Sequence, residues 1–363
     1  MRCFKAQFIL CLLCLTSFFS GCHNFYPAEC ARWEMLGPFY IAGEDACFVT
    51  EDHYINSLMS DNSTSLICNS NSCMHNREDC SAYFEGSNIF PFVYSDRLMI
   101  ITDYLANSNG ELYLYSANPD GTGRKKEALI NDNVQVIRNI IVDDGKIFIA
   151  YYNGNTKDMM PMEMPHAGVL CYDIATQKTE MLWEADGYNL IIATMNYQNG
   201  LLAFNELSYD CDDYAERIDD SEYLKEHRSY NMHIYSCYDG TFEMVDTVND
   251  IEDIGYIPLY EECAFYNKDG SLYALNTGTG DSFIISTAMK SFQSFDSGFV
   301  YLYDYDSRSG EHTVYTYDGE LHETDVTYGN KAIISAHGGR FLLWDFDTVD
   351  GSGELRYVEK EDL

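Results

Sequence analysis

From Leu36 to the C-terminus, short apolar runs alternate with polar turn dipeptides. Asp120-Gly121, Asp144-Gly145, Asn199-Gly200, Asp239-Gly240, Asp269-Gly270 and Asp318-Gly319 each separate two such runs. Asp-Gly and Asn-Gly suit two-residue turns in which both central positions need positive φ, so each dipeptide predicts a β-hairpin. Within the runs apolar residues tend to recur at every second position, the strand period. A tyrosine-containing phrase also recurs: Leu112-Tyr113-Leu114-Tyr115, Val169-Leu170-Cys171-Tyr172, His233-Ile234-Tyr235, Leu272-Tyr273-Ala274-Leu275, Val314-Tyr315-Thr316-Tyr317 and Leu355-Arg356-Tyr357-Val358. Equivalent positions lie roughly 40 to 65 residues apart, the interval of propeller blades with variable loops.

Two further strands precede each phrase, as in Asn88–Tyr94 then Arg97–Asp103, or Lys331–His337 then Arg340–Phe346, and a fourth usually follows. The pattern predicts an all-β fold, a β-propeller of seven four-stranded blades near residues 37–84, 88–131, 135–184, 188–248, 252–286, 290–326 and 329–363. Six blades, or a pair of β-sandwiches, are the alternatives to that count. The last unit lacks an outer strand, and residues 24–35 are expected to supply it, closing the ring and hiding its edges. Composition agrees, because 30 Tyr and 20 Phe against 7 Pro favour strands.

Residues 1–36 break the pattern. Arg2 and Lys5 are the only charges before residue 29; an apolar run from Phe8 to Phe19 follows, then Ser20-Gly21-Cys22. A basic start, a short apolar core and small residues at the cleavage point describe a secretory signal peptide. The run is too short to cross ~30 Å of hydrocarbon, which takes about 20 residues. Small-small-Cys resembles the bacterial lipobox, with Phe19 where that motif usually has Leu. The expected organisation is a lipoprotein signal peptide at 1–21, a lipid-anchored linker with a ring-closing strand at 22–36, and the propeller at 37–363. Cys22 is then the acylated first residue of an exported protein held on the outer side of the cell membrane. An ordinary cleaved signal and an uncleaved anchor are the alternatives.

Charge narrows the partners. With 58 acidic against 22 basic residues and a net charge of −36, the chain lacks the basic footprint that nucleic-acid binding needs. Adhesion to anionic headgroups is disfavoured for the same reason, so the lipid must do the anchoring.

The loops joining strand two to strand three are the long ones: Ala106–Glu111, Asn153–Ala167, Glu206–Tyr230, Asp304–Glu311 and Asp347–Gly353. The strand-one-to-two turns are mostly tight, so one face is elaborated and the other trimmed, and binding usually resides on elaborated loops. The longest loop carries Asp210, Asp212, Asp213, Glu216, Asp219, Asp220, Glu222 and Glu226, and Ser221–His227 within it suits a short helix. A solvated acidic insertion without a ligand is the simpler reading of it. Asp304-Tyr305-Asp306 with Glu311, and Asp345-Phe346-Asp347 with Asp350 and Glu354, are oxygen-rich enough for Ca²⁺ but do not follow the EF-hand spacing.

The sharpest local motif is Cys68-x4-Cys73-x-His75-x4-Cys80, in a polar stretch without strand pattern. Three thiolates and an imidazole can complete a closed tetrahedral site for structural Zn²⁺ or Fe²⁺. Disulfides drawing in Cys30 or Cys47, and free thiols, compete with that reading. An odd number of cysteines follows Cys22, so full internal pairing leaves one over. The blade assignment places the motif between the first and second blades, on the elaborated face. Cys171, Cys237 and Cys263 fall within strand patterns and are expected to be inert core residues.

The lipobox, Leu66-Ile67-Cys68…Cys73-Met74-His75…Cys80 and the tyrosine-rich blades together resemble a group of propeller lipoproteins from Gram-positive gut bacteria. The resemblance covers nearly the whole chain, and the cysteine segment is its one specific motif. It implies a WD40-like or TolB-like propeller outside the cytoplasmic membrane, and it carries over no substrate and no catalytic residue.

No Gly-x-Ser-x-Gly elbow, His-Glu-x-x-His helix or phosphate loop is present. His166, His227 and His312 lie in or beside the long loops without a sequence-evident nucleophile. The expected function is binding of a protein, peptide or glycan ligand through the loop-rich face, with no catalytic residue assigned. The alternative is a surface carbohydrate-active enzyme, a hydrolase or lyase, using carboxylates on that face. A third is a purely structural role in an envelope complex.

Overall fold

The computed structural model describes residues 32–359, apart from 36–39, 44–46, 60–62, 77–78, 85–87, 104–109, 135, 154–155, 158–159, 162–165, 187–189, 212–215, 218, 238–240, 253–258, 297–298, 305–311, 329–330, 338–339 and 347–352. The signal peptide, Cys22 and most of both candidate Ca²⁺ loops lie outside the described residues.

After an initial strand β1 (Trp33–Met35), strands follow one another as seven antiparallel units, the first and third of which are joined through β1 into one nine-stranded sheet. Blade 1 comprises β2 (Tyr40–Gly43), β3 (Cys47–Glu51), β4 (Tyr54–Leu58) and β5 (Thr64–Leu66). Blade 2 is β6 (Asn88–Tyr94), β7 (Arg97–Asp103), β8 (Leu112–Ala117) and β9 (Lys125–Asn131). Blade 3 is β10 (Val136–Asp143) and β11 (Lys146–Asn153), then a small hairpin of β12 (Thr156–Lys157) and β13 (Met160–Pro161), then β14 (His166–Asp173) and β15 (Lys178–Asp186). Blade 4 holds β16 (Leu190–Gln198), β17 (Leu201–Tyr209), helix α1 (Ser221–His227), β18 (Arg228–Ser236) and β19 (Glu243–Val248). Blade 5 is β20 (Leu259–Tyr260), β21 (Cys263–Lys268), β22 (Ser271–Asn276) and β23 (Ser282–Ser286). Blade 6 is β24 (Lys290–Asp296), β25 (Phe299–Asp304), β26 (His312–Tyr317) and β27 (Leu321–Tyr328). Blade 7 has three strands, β28 (Lys331–His337), β29 (Arg340–Phe346) and β30 (Gly353–Glu359).

This is the all-β propeller expected from the turn spacing, with blade limits close to those read from the sequence. The sheets are repeats of one unit: a register shift recurs at the same place between strands one and two of blades 3, 4, 6 and 7. Consecutive residues of one strand serve different neighbours, as the two-residue period requires. Ile140 and Ile149 pack toward blade 2, while Ile141 and Phe148 pack toward blade 4. Ala264 and Tyr266 face blade 4, and Phe265 between them faces Tyr317 of blade 6. Both faces of a middle blade are therefore buried, which explains near-continuous apolar stretches such as Leu201-Leu202-Ala203-Phe204.

β1 departs from the expectation. The described part of the segment expected to complete the last blade pairs elsewhere: β1 lies antiparallel between β2 and β10, with Trp33 opposite both Gly43 and Val142. Burial explains the preference, because Trp33 is 1% exposed and stacks on Phe48 at 5.3 Å. A Cβ at Gly43 would come within 2.7 Å of the Trp33 ring, so the indole occupies space that only glycine leaves.

Candidate metal centre

The outer strand of blade 1 is split. β5 covers the Asn56–Leu58 end of β4, and the strand then resumes sixteen residues later. Ala82 accepts the Ile55 N–H at 3.0 Å, Phe84 donates to the His53 carbonyl at 2.8 Å, and Tyr83 forms an antiparallel bridge with Tyr54. Residues 67–81 are thus an insertion within a strand. The blade assignment from the sequence expects the cysteine motif in the blade 1–2 connection, on the elaborated face. Instead the insertion lies at the outer edge of blade 1, against the β8–β9 turn of blade 2, because Ala82-Tyr83-Phe84 returns to pair with β4. That turn joins strand three to strand four, at the end of the sheet opposite the long loops.

Within the insertion the Cys73 N–H donates to the Ser70 carbonyl at 3.0 Å, turning the chain back. His75 has φ +52°, a left-handed conformation uncommon outside glycine. Its N–H donates to Cys73 Sγ at 3.4 Å and its Nδ1 lies 3.4 Å from Cys80 Sγ. Tyr54 Oη donates to the His75 carbonyl at 2.7 Å and holds that turn against the blade. The structure brings all four predicted ligands together: one ligand atom from each of Cys68, Cys73, His75 and Cys80 lies within 4.8 Å of the others. A tetrahedral ion about 2.3 Å from each sulfur holds its ligands roughly 3.8 Å apart, so this arrangement can hold a metal ion. Cys68 and Cys80 are buried and His75 exposed.

The thiols are unequal. Burial pushes Cys68 up, but hydrogen bonds from Ser81 and from the Ser70 and Ser81 backbone, with Cys73, carry it below the usual thiol range. The Ser81 hydroxyl has one proton, which it gives to the Asp120 carbonyl at 2.5 Å, so the backbone N–H groups are the firmer support for a Cys68 thiolate. Cys80 is pushed up to about 11, by burial first and then by Cys73 and Cys68, with the Ala82 N–H opposing. Three clustered thiols resist joint ionisation unless a cation compensates them.

Arg124, on the β8–β9 side, supplies positive charge and a brace that sequence reading missed. Its guanidinium donates to the carbonyls of Cys80 (3.0 Å), Ser81 (2.7 Å) and Gly121 (3.3 Å) and lies 3.8 Å from the Phe84 ring centroid. Gly121, read only as a turn glycine, is the contact point: at φ +74°, its added Cβ would sit 2.0 Å from the Ser81 carbonyl oxygen. Nothing local in Asp120-Gly121 announces this, since the partner is about 40 residues away in sequence.

The described cysteines Cys47, Cys68, Cys73, Cys80, Cys171, Cys211, Cys237 and Cys263 are all free thiols. Cys171 and Cys237 are buried, as expected; Cys263 is half-buried. Two of the loop histidines find local partners: His166 Nε2 is 3.4 Å from Glu184, and His227 Nδ1 is 2.8 Å from the Tyr223 carbonyl. Of the acidic loop, Asp220 caps α1 by accepting the Tyr223 N–H at 3.1 Å. A largely buried pair the sequence did not signal, His233 and Glu206 of blade 4 at 2.6 Å, lies beside Phe204 of the same blade and Trp183 of blade 3.

No protein family matches this sequence, and no curated protein does. Among solved structures, an acylaminoacyl peptidase from Pyrococcus horikoshii is 15% identical with a TM-score of 0.46, over 74% of this chain and 45% of that one. The chain thus spans under half the length of that peptidase. The β-propeller domain of the Trilobed protease from Pyrococcus furiosus is 12% identical with a TM-score of 0.44, over 93% of this chain and 99% of that one. An oligogalacturonate lyase from Vibrio parahaemolyticus is 12% identical with a TM-score of 0.41, over 72% and 74%. By its own sheet topology the chain is a β-propeller.

Proposed function

We propose that this chain is an exported propeller, held by lipid on Cys22 at the outer side of the cell membrane, that binds a protein, peptide or glycan through its loop-rich face. The observation that carries the reading is the asymmetry of the blade ends. Strands one and two are joined by two-residue turns at Ser95-Asp96, Asp144-Gly145, Asn199-Gly200 and Glu261-Glu262. At the opposite end blades 1 and 5 also have two-residue turns, Asp52-His53 and Asp269-Gly270, but the other five blades carry 104–111, the β12–β13 hairpin, the 210–227 loop with α1, 305–311 and 347–352. Long connections cost ordering entropy, and on a rigid scaffold they are where recognition resides.

Cys68, Cys73, His75 and Cys80 would hold Zn²⁺, with Fe²⁺ the alternative ion. Four protein ligands fill a tetrahedron and leave no open position, so the ion is structural: it pins an insertion that has little core of its own. Three thiolates and a neutral imidazole around Zn²⁺ carry net negative charge, which Arg124 offsets.

The test is binding of the signal-free protein to peptide and glycan arrays, compared with variants in which 154–165 or 210–227 is replaced by a short Gly-Ser link. Binding lost from folded variants supports the loop-rich face; unchanged binding overturns it. Cleavage of an arrayed glycan would replace this reading with the carbohydrate-active enzyme. Release of a Cys22→Ser chain into the medium tests the anchor separately.

A further inference from the structure

β1 runs against the direction of its neighbours, and this fixes where the chain reaches the propeller. The inner strands β2 and β10 run from the loop-rich end toward the tight turns that lead into β3 and β11. β1 is antiparallel to both, and its first residue, Trp33, lies opposite Gly43 and Val142, beside those turns. Arg32 independently marks the same end. Its guanidinium donates to the Tyr197 carbonyl and, at 2.6 Å, to Asn196 Oδ1, next to the Asn199-Gly200 turn of blade 4. The strand-one-to-two turns of blades 3 and 4 therefore lie at the end of the propeller where Arg32 sits.

From this geometry we infer that the trimmed face is the membrane-proximal one and that the loop-rich face is directed away from the bilayer. The inference rests on the lipid anchor proposed above. Ten peptide links separate Cys22 from Arg32, a reach of at most about 33–36 Å. A tether of that length emerging among the tight turns holds that face toward the lipid. The charge of −36 keeps the surface itself from adhering to anionic headgroups, so orientation comes from the point of attachment. Ligands on other cells or in the surrounding medium then meet the long loops first.

Acylated full-length protein in phosphatidylcholine vesicles, carrying a donor dye on an azide-bearing residue, reports the orientation by energy transfer to an acceptor lipid. One label replaces Ala175, exposed on the strand-three-to-four turn of blade 3; the other replaces Glu222, exposed on α1. The expected result is several-fold greater transfer from position 175 than from 222. Equal transfer, or the reverse order, overturns the inference. A Cys22→Ser chain with an N-terminal hexahistidine tag on nickel-chelating lipid separates the two proposals. The 175-over-222 order there, with no acyl mass on the native protein, rejects the anchor and supports the orientation imposed by β1. Loss of the order in both preparations rejects the orientation alone.

Discussion

Tyr83 lies opposite Tyr54 in an antiparallel bridge, their rings meeting edge to face at 5.4 Å, although the rest of the outer strand ends at Leu66. The strand is completed by residues on both sides of an insertion, so the blade edge and the cysteine cluster depend on each other. If the insertion loosens, Ala82–Phe84 loses its register on β4; if that register is lost, Cys80 leaves Cys68.

A first prediction concerns the ion. Protein purified without chelator is expected to carry about one equivalent of zinc, and His75→Ala to lose most of it, since three thiolates without the imidazole leave the tetrahedron open. Hydrogen exchange after metal removal should rise within 66–84 and the 118–124 turn while blades 4 and 5 keep their protection. Metal-free protein with low exchange throughout 66–84 would show that the insertion needs no ion.

Gly121→Ala should weaken the same region from the other side. The substitution forces a Cβ to within 2.0 Å of the Ser81 carbonyl oxygen at φ +74°. A left-handed alanine alone costs about 1 kcal/mol, and the clash requires the insertion to move off blade 2. A destabilisation of about 2 kcal/mol or more in denaturant titration is expected, with weaker zinc retention. Gly270→Ala, where φ is +72° but nothing lies within 4 Å, isolates the backbone contribution.

Trp33→Ala tests whether β1 belongs to the core. Its side chain is buried among residues of blades 1 to 3, so removing it should cost about 3–5 kcal/mol. A loss below about 1 kcal/mol would mean that β1 is a peripheral strand.

Much of this was legible because it is local. Asp144-Gly145 and Asn199-Gly200 set hairpins within a few residues, and the recurring tyrosine phrases marked strand three of successive blades. α1 was readable from Ser221–His227 for the same reason, and the structure adds Asp220 as its cap. The four ligands were readable because they fall within thirteen residues. What escaped was long-range: the pairing of Trp33 with Val142, the docking of Ser81 on Gly121 and the brace from Arg124 all join distant segments. Position in the fold escaped too, since a strand interrupted for fifteen residues reads as a strand that has ended.

Alkaline pH gives the last prediction. Burial pushes the Cys47 thiol up to about 12, with a backbone hydrogen bond at Ile41 opposing, and burial also raises Cys171. Tyr151 is raised to about 12 by burial and then by Glu184, and burial raises Tyr197. A group whose folded value lies above its unfolded one keeps its proton in the native state while the unfolded chain releases it. Its contribution is therefore complete below the unfolded value and declines as pH rises toward the folded one. For Cys47 that window runs from about pH 9 to about pH 12, with a slope of at most about 1.4 kcal/mol per pH unit; the tyrosines join above about pH 10. Melting temperature should consequently fall steadily from pH 8.5 to 11 in zinc-saturated protein. Cys47→Ala/Cys171→Ala should begin from a lower melting temperature because two buried side chains are trimmed, yet fall less steeply between pH 9 and 10. A slope unchanged by the double substitution would place the alkaline sensitivity elsewhere, in the tyrosines or in self-repulsion of the acidic surface.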